Sequence, residues 1–479
     1  MDLDHAACYR AISVRDARFD GRFFTGVKTT GIYCRPICPA RLPRSENVRF
    51  FATAAAAQEA GFRPCLRCRP ETAPDLGVWR GTSNTVSRAL SLIELGVLDD
   101  GDVEALAERL GVGERQLRRL FQQHLGASPV AVAQTRRVLL AKRLIDETRL
   151  PMAQIAYGAG FGSIRRFNET FQSLYGRPPS ALRRARSAGG VRGEVQLLLR
   201  YQPPYDWESM LEFLRRRAIP GVERVGETTY TRTIELDGKQ GLLTVEPGAG
   251  NALRALIRFP SVAALPAIIA RVRRVFDLAA DAQAISSHLA HDPVLASLVA
   301  RRPGLRVPGA WDGFELAIRA VLGQQITVAA ARSLAGRLVA SHGRPLDEPS
   351  GDLTHVFPTP EALAEADLSR FAVPRSRANT LIAVASAAAA DPRLFSDQGE
   401  LAAAVERLRS IRGVGEWTAQ YIALRQLRQP DAFPGTDLGL LRGLAAQIGR
   451  KAQAKELEAL AENWRPWRAY AAQYLWSAA

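Results

Sequence analysis

No cysteine follows Cys68 in a chain of 479 residues, so thiol chemistry is confined to the N-terminal part. Lysine is nearly missing too. Lys28, Lys142, Lys239, Lys451 and Lys455 are the only five among 64 basic residues, and arginine carries the rest of the positive charge. Acidic side chains fall short of basic ones, 48 against 64, which leaves a net charge of +16 and a pI near 10.2. That balance favours polyanionic partners. No run is long and apolar enough to span a bilayer; the longest candidates, such as Ile382 to Ala390, are short and alanine-rich, so no membrane partner is expected. The opening Met1-Asp2-Leu3-Asp4-His5 is acidic and polar, unlike a signal peptide, and an arginine-rich, cysteine-poor remainder fits a reducing compartment.

Four of the five cysteines form two close pairs, Cys34 with Cys38 and Cys65 with Cys68. Two such pairs a few tens of residues apart can close one tetrahedral zinc site, so one Zn2+ held by four cysteines is expected. With all four positions filled, the site can be a structural clip. Arg35, Arg41, Arg44, Arg63, Arg67 and Arg69 crowd it, however, and a thiolate among cations stays deprotonated and close to negatively charged partners. The second reading is therefore a zinc thiolate that faces DNA, with Arg35, Arg41 and Arg67 as contacts. Cys8 stands outside the pairs as a buried or idle thiol.

The length suits two to four domains, and 47% hydrophobic residues give each a core. Two breaks divide the chain, Glu71 to Thr85 and Ala185 to Gly193, both marked by Gly, Pro or small polar residues. Of the net charge, +11 lies in the first 190 residues. The last part begins with alternating strands (195 to 199, 228 to 236, 241 to 245, 255 to 259), while everything past Pro266 reads as helices.

The middle part repeats one helical plan. Val103, Leu106, Ala107 and Leu110 fall at helical spacing, Gly111 breaks the helix, and a second helix buries Leu117, Leu120 and Phe121 while exposing Arg115, Gln116, Arg118 and Arg119. In the second unit Met152, Ile155 and Ala156 lead to a glycine turn. Ser163 then caps a helix that buries Phe167 and Phe171 and exposes Arg165, Arg166 and Asn168. This is helix-turn-helix logic done twice. A second helix faced with Arg, Gln and Asn can be merely solvated, or can enter a major groove and donate to bases and phosphates.

The run Ala156 to Ser163, with Phe167, Phe171, Gly176, Pro178 and Pro179, resembles the signature of AraC-type transcription regulators over residues 85 to about 186. That resemblance implies two recognition helices in successive major-groove segments about 34 Å apart. The N-terminal part resembles the metal-binding domain of Ada adaptive-response regulators in Arg15 to Gly21, Thr29 to Pro36, Glu46 to Val48, and Gly61 through Cys68. The resemblance implies that Cys34, the first of the quartet, takes a methyl group from a methyl phosphotriester in DNA. It also implies that the lowered negative charge of the methylated cluster strengthens promoter binding. The fullest Ada proteins end in an O6-methylguanine methyltransferase with its own acceptor cysteine, and no residue after Cys68 can serve as one.

Further on, Leu408, Ile411, Gly413-Val414-Gly415 and Thr418-Ala419 read as a helix, a glycine hairpin and a second helix start. Packed helices alone could explain the hairpin. About twenty residues later Asp437 stands at a helix start, where an acidic residue can be only a cap. Together these resemble the helix-hairpin-helix DNA glycosylases, and the end of the chain, Trp464 to Tyr470 with Trp476, resembles the AlkA type, from about Val191 to Ala479. The resemblance implies Asp437 as catalytic carboxylate and Trp417, Tyr421 and Trp476 as aromatics of a flipped-base pocket, with Trp464 and Trp467 left in the core. It assigns Gln324 and Gln325 to the segment that probes the duplex, although Gln325 stands where AlkA-type proteins place an apolar wedge. Glycosylases that also nick the backbone carry a lysine where this chain has Trp417, so base removal without strand cleavage is expected.

The expected fold class is multidomain, mainly α with α+β parts: a small four-cysteine zinc α/β domain (1–76), an all-α double helix-turn-helix (82–186), an antiparallel-sheet subdomain (191–265) and an all-α helix-hairpin-helix glycosylase (266–479). The expected function is an alkylation-damage response. Cys34 accepts methyl from phosphotriesters and activates transcription, while the C-terminal part excises alkylated purines of the 3-methyladenine type. Partners would be double-stranded DNA, both promoter and alkylated, and RNA polymerase; the location would be a bacterial cytoplasm, nucleoid-associated when bound. Two alternatives are a regulator whose glycosylase-like part only binds DNA, and a glycosylase for a different base lesion.

Overall fold

The computed structural model describes residues 3–74, 84–183, 194–369, 371–396 and 400–478. The two breaks read from the sequence lie largely outside the described residues. The chain divides into two compact units: Met1–Gln202 with Gly248–Ala270 and Leu278–Ala280, and Pro203–Pro247 with Arg271–Asp277 and Asp281–Ala479.

The first unit opens with a four-stranded sheet. In space its strands run Val48–Phe51, Phe24–Val27, Ile32–Cys34, Arg63–Pro64; the first two junctions are antiparallel and the last is parallel. Alternation places Tyr33 inward and fully buried, edge-on to Phe24 with ring centroids 5.7 Å apart. Its neighbour Cys34 consequently points the other way, at a strand end, and Cys65 follows directly on the edge strand. The helix Ala54–Glu59, capped by the Thr53 hydroxyl, presents four buried alanines to this core.

Two helix pairs follow, Val103–Leu110 with Glu114–Leu125 and Met152–Gly158 with Ile164–Tyr175, separated by the long helix Pro129–Glu147. Gly111 takes φ +70° at the first turn, a left-handed value that favours glycine. Leu117 and Phe121 are buried as expected, whereas Leu120 and Met152 are only half-buried. The second pair is pinned by an aromatic ladder, Phe161, Phe167, Phe171 and Tyr175, with successive centroids 5.2, 4.8 and 5.3 Å apart. The long helix also holds the zinc-domain sheet. Gln58 donates to the Tyr33 hydroxyl (2.9 Å) and accepts from Thr135 (3.1 Å), and the Glu59 carboxylate accepts from the amide and hydroxyl of Ser128 (both 3.1 Å). Below them Lys142 pairs with Asp146 (2.5 Å) and lies 3.8 Å from Glu71, and Arg69 reaches Glu71, Asp146 and Glu147. Paired in this way, buried charges escape the large cost of isolated ones. The strands Glu194–Arg200 and Ala252–Arg258 complete this unit as an antiparallel pair, with Leu198 donating its amide to Glu147 (3.0 Å).

The second unit contains the strands Glu223–Val225, Tyr230–Leu236 and Lys239–Pro247, the last two joined by Asp237-Gly238 at φ +50° and +73°. Both central residues of that tight hairpin are left-handed, the geometry such turns need. Beyond them the unit is mostly helical. Two features depart from the sequence reading. A helix, Trp207–Arg217, lies within the strand-rich stretch, capped by Asp206 and burying Met210, Leu211 and Leu214. The strands Pro345–Ser350 and Leu353–His355 interrupt the helices after Pro266, turning through Gly351 at φ +64°.

Candidate functional sites

The Sγ atoms of Cys34, Cys38, Cys65 and Cys68 all lie within 4.8 Å of one another. Tetrahedral zinc bound at about 2.3 Å spaces its sulfurs by about 3.8 Å, so this donor set fits one zinc. Cys65 and Cys68 are buried, Cys34 and Cys38 half-buried. The amide of Arg67 donates to Cys65 Sγ (3.4 Å), that of Arg35 to Cys68 Sγ (3.3 Å), and that of Ala40 to Cys38. Cys34 is surrounded instead by the other three sulfurs. Hydrogen bonds to Cys38, Cys65 and Cys68, and then burial, push its thiol up, while the bond from Cys34 pulls Cys65 down and brings Cys38 to about 7. Four thiols this close ionise together only around a cation.

Arg41, Arg44, Arg63 and Arg67 are exposed around the cluster. Arg35 is buried instead, which removes it from the residues expected to contact DNA. Its guanidinium is buried, paired with Asp20 (2.8 Å from Nε) and donating to the Cys68 carbonyl (3.0 Å) and the Thr72 hydroxyl (2.7 Å). A charge satisfied on all sides behind the cluster positions Cys68 and has nothing left to offer a phosphate. Cys8 is buried in the hydrophobic cluster with Phe23.

Arg115, Gln116, Arg118 and Arg119 are exposed on Glu114–Leu125, and Arg165 and Arg166 on Ile164–Tyr175. Arg118 pairs with Glu114 (2.5 Å) and Arg165 with Glu169 (2.8 Å). Such exposed pairs are worth little, so they can exchange a carboxylate for a phosphate. The Ser163 hydroxyl accepts from the Arg166 amide (3.2 Å), which ties its oxygen to the helix start.

In the second unit Asp437 begins the helix Leu438–Ile448, its Oδ1 accepting from the Leu440 amide (3.0 Å). The Trp476 indole donates to the same oxygen (2.8 Å) and the Trp417 indole to Oδ2 (2.6 Å). The half-buried carboxylate is thus held by three N–H groups and is more than a cap. Gly439 makes room for this: a Cβ there would stand 2.9 Å from Asp437 Oδ1 and 3.0 Å from Trp476. Trp417 and Tyr421 stack at 5.2 Å and 12°, and Tyr421 meets Trp476 edge-on at 6.3 Å. A base inserted between two rings needs about 7 Å, so it cannot enter between Trp417 and Tyr421. Trp464 is fully buried, while Trp467 is half-buried against Tyr470.

The glycine hairpin leads directly into the helix Glu416–Arg425 that carries Trp417 and Tyr421. Gly413 has φ +86°, and a Cβ on it would lie 1.9 Å from the Thr380 hydroxyl. Gly415 starts the helix Glu416–Arg425 and is open to solvent. Gln324 is half-buried and donates to Thr418 (3.1 Å) and the Gly413 carbonyl (3.5 Å), so it braces the hairpin; Gln325 projects, exposed, from a left-handed backbone at φ +57°. Sequence reasoning missed Arg425, which follows Trp417 and Tyr421 at four-residue intervals and so shares their helix face. That spacing was the available signal.

Four families match in succession: "Metal binding domain of Ada" over residues 7–71, "Helix-turn-helix domain" over 106–185, "AlkA N-terminal domain" over 196–312, and "HhH-GPD superfamily base excision DNA repair protein" over 318–469. The chain is 45% identical over 483 residues to a Mycobacterium tuberculosis protein named "Probable bifunctional transcriptional activator/DNA repair enzyme AlkA", covering 100% of this chain and 97% of that protein. It is 35% identical over 282 residues to "DNA-3-methyladenine glycosylase 2" of Escherichia coli, covering 58% and 95%. Among solved structures, a 3-methyladenine DNA-glycosylase from Archaeoglobus fulgidus shares the fold over 58% of this chain and 97% of its own, with a TM-score of 0.52 and 22% identity.

Proposed function

Because the chain belongs to the family of bifunctional transcriptional activator/DNA repair enzymes that join an Ada-type metal-binding domain to an AlkA-type glycosylase, we propose that it senses alkylated DNA at one end and repairs it at the other. One zinc is held by Cys34, Cys38, Cys65 and Cys68, and its charge keeps four adjacent sulfurs deprotonated at neutral pH. Cys34 is the acceptor. Of the two half-buried sulfurs it lacks the amide donor given to Cys38, so its electron pair is the less engaged. That pair attacks the methyl carbon of a DNA methyl phosphotriester; an S–C bond forms, the C–O bond breaks, and the phosphate leaves as an ordinary anionic diester. Losing one negative charge at the cluster reduces its repulsion of the DNA backbone, and the helices carrying Arg115, Gln116, Arg118 and Arg119, and Ser163, Arg165 and Arg166, then hold promoter DNA where RNA polymerase is recruited.

The repair half is a DNA glycosylase that removes alkylated purines of the 3-methyladenine type. Asp437 stabilises the cationic sugar as the bond from C1′ to the base breaks, and takes a proton from the water that adds to C1′. One observation carries this: both oxygens of a half-buried carboxylate are held by the indoles of Trp417 and Trp476, which with Tyr421 form an aromatic cluster. Trp417 supplies no amine, so the sugar–phosphate backbone stays intact. Gly413 and Gly415 bring backbone N–H groups to a phosphate, and Gln325 fills the gap left by the flipped base.

An abasic-site assay on DNA containing 3-methyladenine or 7-methylguanine, run beside Asp437→Asn, tests the reading. Activity in the wild type with a loss of roughly 10²- to 10⁴-fold in the variant is expected. Equal inactivity of the two proteins would remove the enzymatic reading, and equal activity would remove Asp437 from it.

A further inference from the structure

Arg425 lies directly behind the aromatic pocket. It is 2% exposed, and its guanidinium carbon stands 5.0 Å from the ring centre of Tyr421, 5.1 Å from that of Trp476 and 4.4 Å from that of Phe213. Its nitrogens donate to the Pro308 carbonyl (2.8 Å) and the Gln473 side-chain oxygen (3.3 Å). Those partners are a carbonyl, an amide, the Tyr421 hydroxyl and three rings, all neutral, so the charge is stabilised without being cancelled. Phe213 carries a second cation, Arg217, at 4.0 Å. The result is a column of Arg217, Phe213, Arg425, Tyr421 and Trp417, with Asp437 at its end. Burial, the largest influence, lowers Arg425 to about 10, which leaves it cationic at neutral pH.

We infer that Arg425 is a positioning residue that sets which damaged bases the pocket releases, by acting on the charge of the departing base. The inference rests on the glycosylase reading above. A cationic lesion such as 7-methylguanine leaves as a neutral base once the bond to C1′ breaks and its electron pair returns to the ring. A neutral lesion leaves with the same pair as an anion, which solvent then protonates. Only the second departure develops negative charge, and a fixed cation behind the rings stabilises it. A base stacked on Trp476 would stand about 9 Å from the guanidinium, where two unit charges at an effective dielectric constant near 20 interact strongly enough to change a rate roughly tenfold.

The test compares kcat/KM on 7-methylguanine DNA and on DNA carrying the neutral lesion hypoxanthine, for the wild type, Arg425→Met, Arg425→Gln and Arg425→Lys. The ratio of the two substrates within one preparation is independent of the fraction of folded enzyme, so loss of folded protein leaves it unchanged, and Lys, which keeps the charge, separates charge from packing. The Met and Gln variants are expected to lower the hypoxanthine to 7-methylguanine ratio by roughly tenfold, with Lys close to wild type. If Met fails to fold, Gln, which can still bond the Pro308 carbonyl, gives the reading. A ratio constant within twofold across all variants overturns the inference, as does an equal fall in Lys. A wild type inactive on both substrates sinks the glycosylase reading itself.

Discussion

Asp437, the proposed catalytic carboxylate, is held by three N–H groups. Trp476 donates to it at 2.8 Å, and a hydrogen bond to a charged acceptor is worth about 1.5–3 kcal/mol, so Trp476→Phe should slow base release roughly ten- to hundredfold in single-turnover kinetics while leaving the fold intact. An unchanged rate would mean that the indole only packs. Gly413 is the opposite case, a residue whose value lies in what it lacks: at φ +86° and with Thr380 where a Cβ would go, Gly413→Val should destabilise the second unit by at least about 1–2 kcal/mol in a denaturant titration. The cysteine quartet was legible in the sequence because a four-thiolate metal site is tied to spacing, and Asp437 was singled out only through the resemblance to helix-hairpin-helix glycosylases. Arg35 was not legible. Its partner Asp20 is fifteen residues away, and nothing in a run of arginines tells a buried, paired guanidinium from an exposed one.

Of the two arginine-faced helices, Ile164–Tyr175 is capped by the Ser163 side chain, while Glu114–Leu125 starts at Gly113 without a side-chain cap. Ser163→Ala removes the side-chain acceptor for the Arg166 amide and should cost about 1 kcal/mol of stability, measured by thermal unfolding. Arg115→Ala and Arg119→Ala should each weaken binding to promoter DNA and reduce the slope of log K against log salt by about 1; an unchanged slope would take that residue off the phosphates. In the second unit, the strand Tyr230–Leu236 is tied to the helix Gly313–Leu322 by Arg232 and Glu315 (2.7 Å). Burial alone would raise Glu315, but Arg232 and Arg319 outweigh it and hold the carboxyl at about 2, below its unfolded value of about 4.3. A depressed acid stabilises fully above its unfolded pKa and loses that contribution as pH falls towards the folded one, so unfolding between about pH 4 and pH 2 should steepen, and Glu315→Gln should flatten it. Helix pairs with strong apolar periodicity and glycine turns were readable in advance. The helix Trp207–Arg217 was hidden because its period lies inside a strand-rich stretch, and the strands Pro345–Ser350 and Leu353–His355 because prolines and acidic residues give them no alternating pattern.

Across the chain, the groups proposed to sense and to repair lie in different compact units, the cysteine quartet in the first and Asp437 in the second. Their activities should therefore separate. Removing the metal with a strong chelator should loosen the N-terminal sheet to protease, because four-cysteine zinc is folding energy in a domain this small, while base excision survives. Loss of excision on chelation would show that the units depend on one another. Arg35, Arg69 and Glu71 link the quartet to the long helix between the two helix-turn-helix pairs, so the same treatment should weaken promoter binding. The most direct measurement is mass spectrometry of the full chain after incubation with DNA bearing methyl phosphotriesters, followed by peptide mapping. One methyl group on Cys34 and on no other residue is the predicted result; an unmodified Cys34, or a methyl group on Cys38, Cys65 or Cys68 instead, would contradict the assignment of Cys34 as the damage-sensing nucleophile.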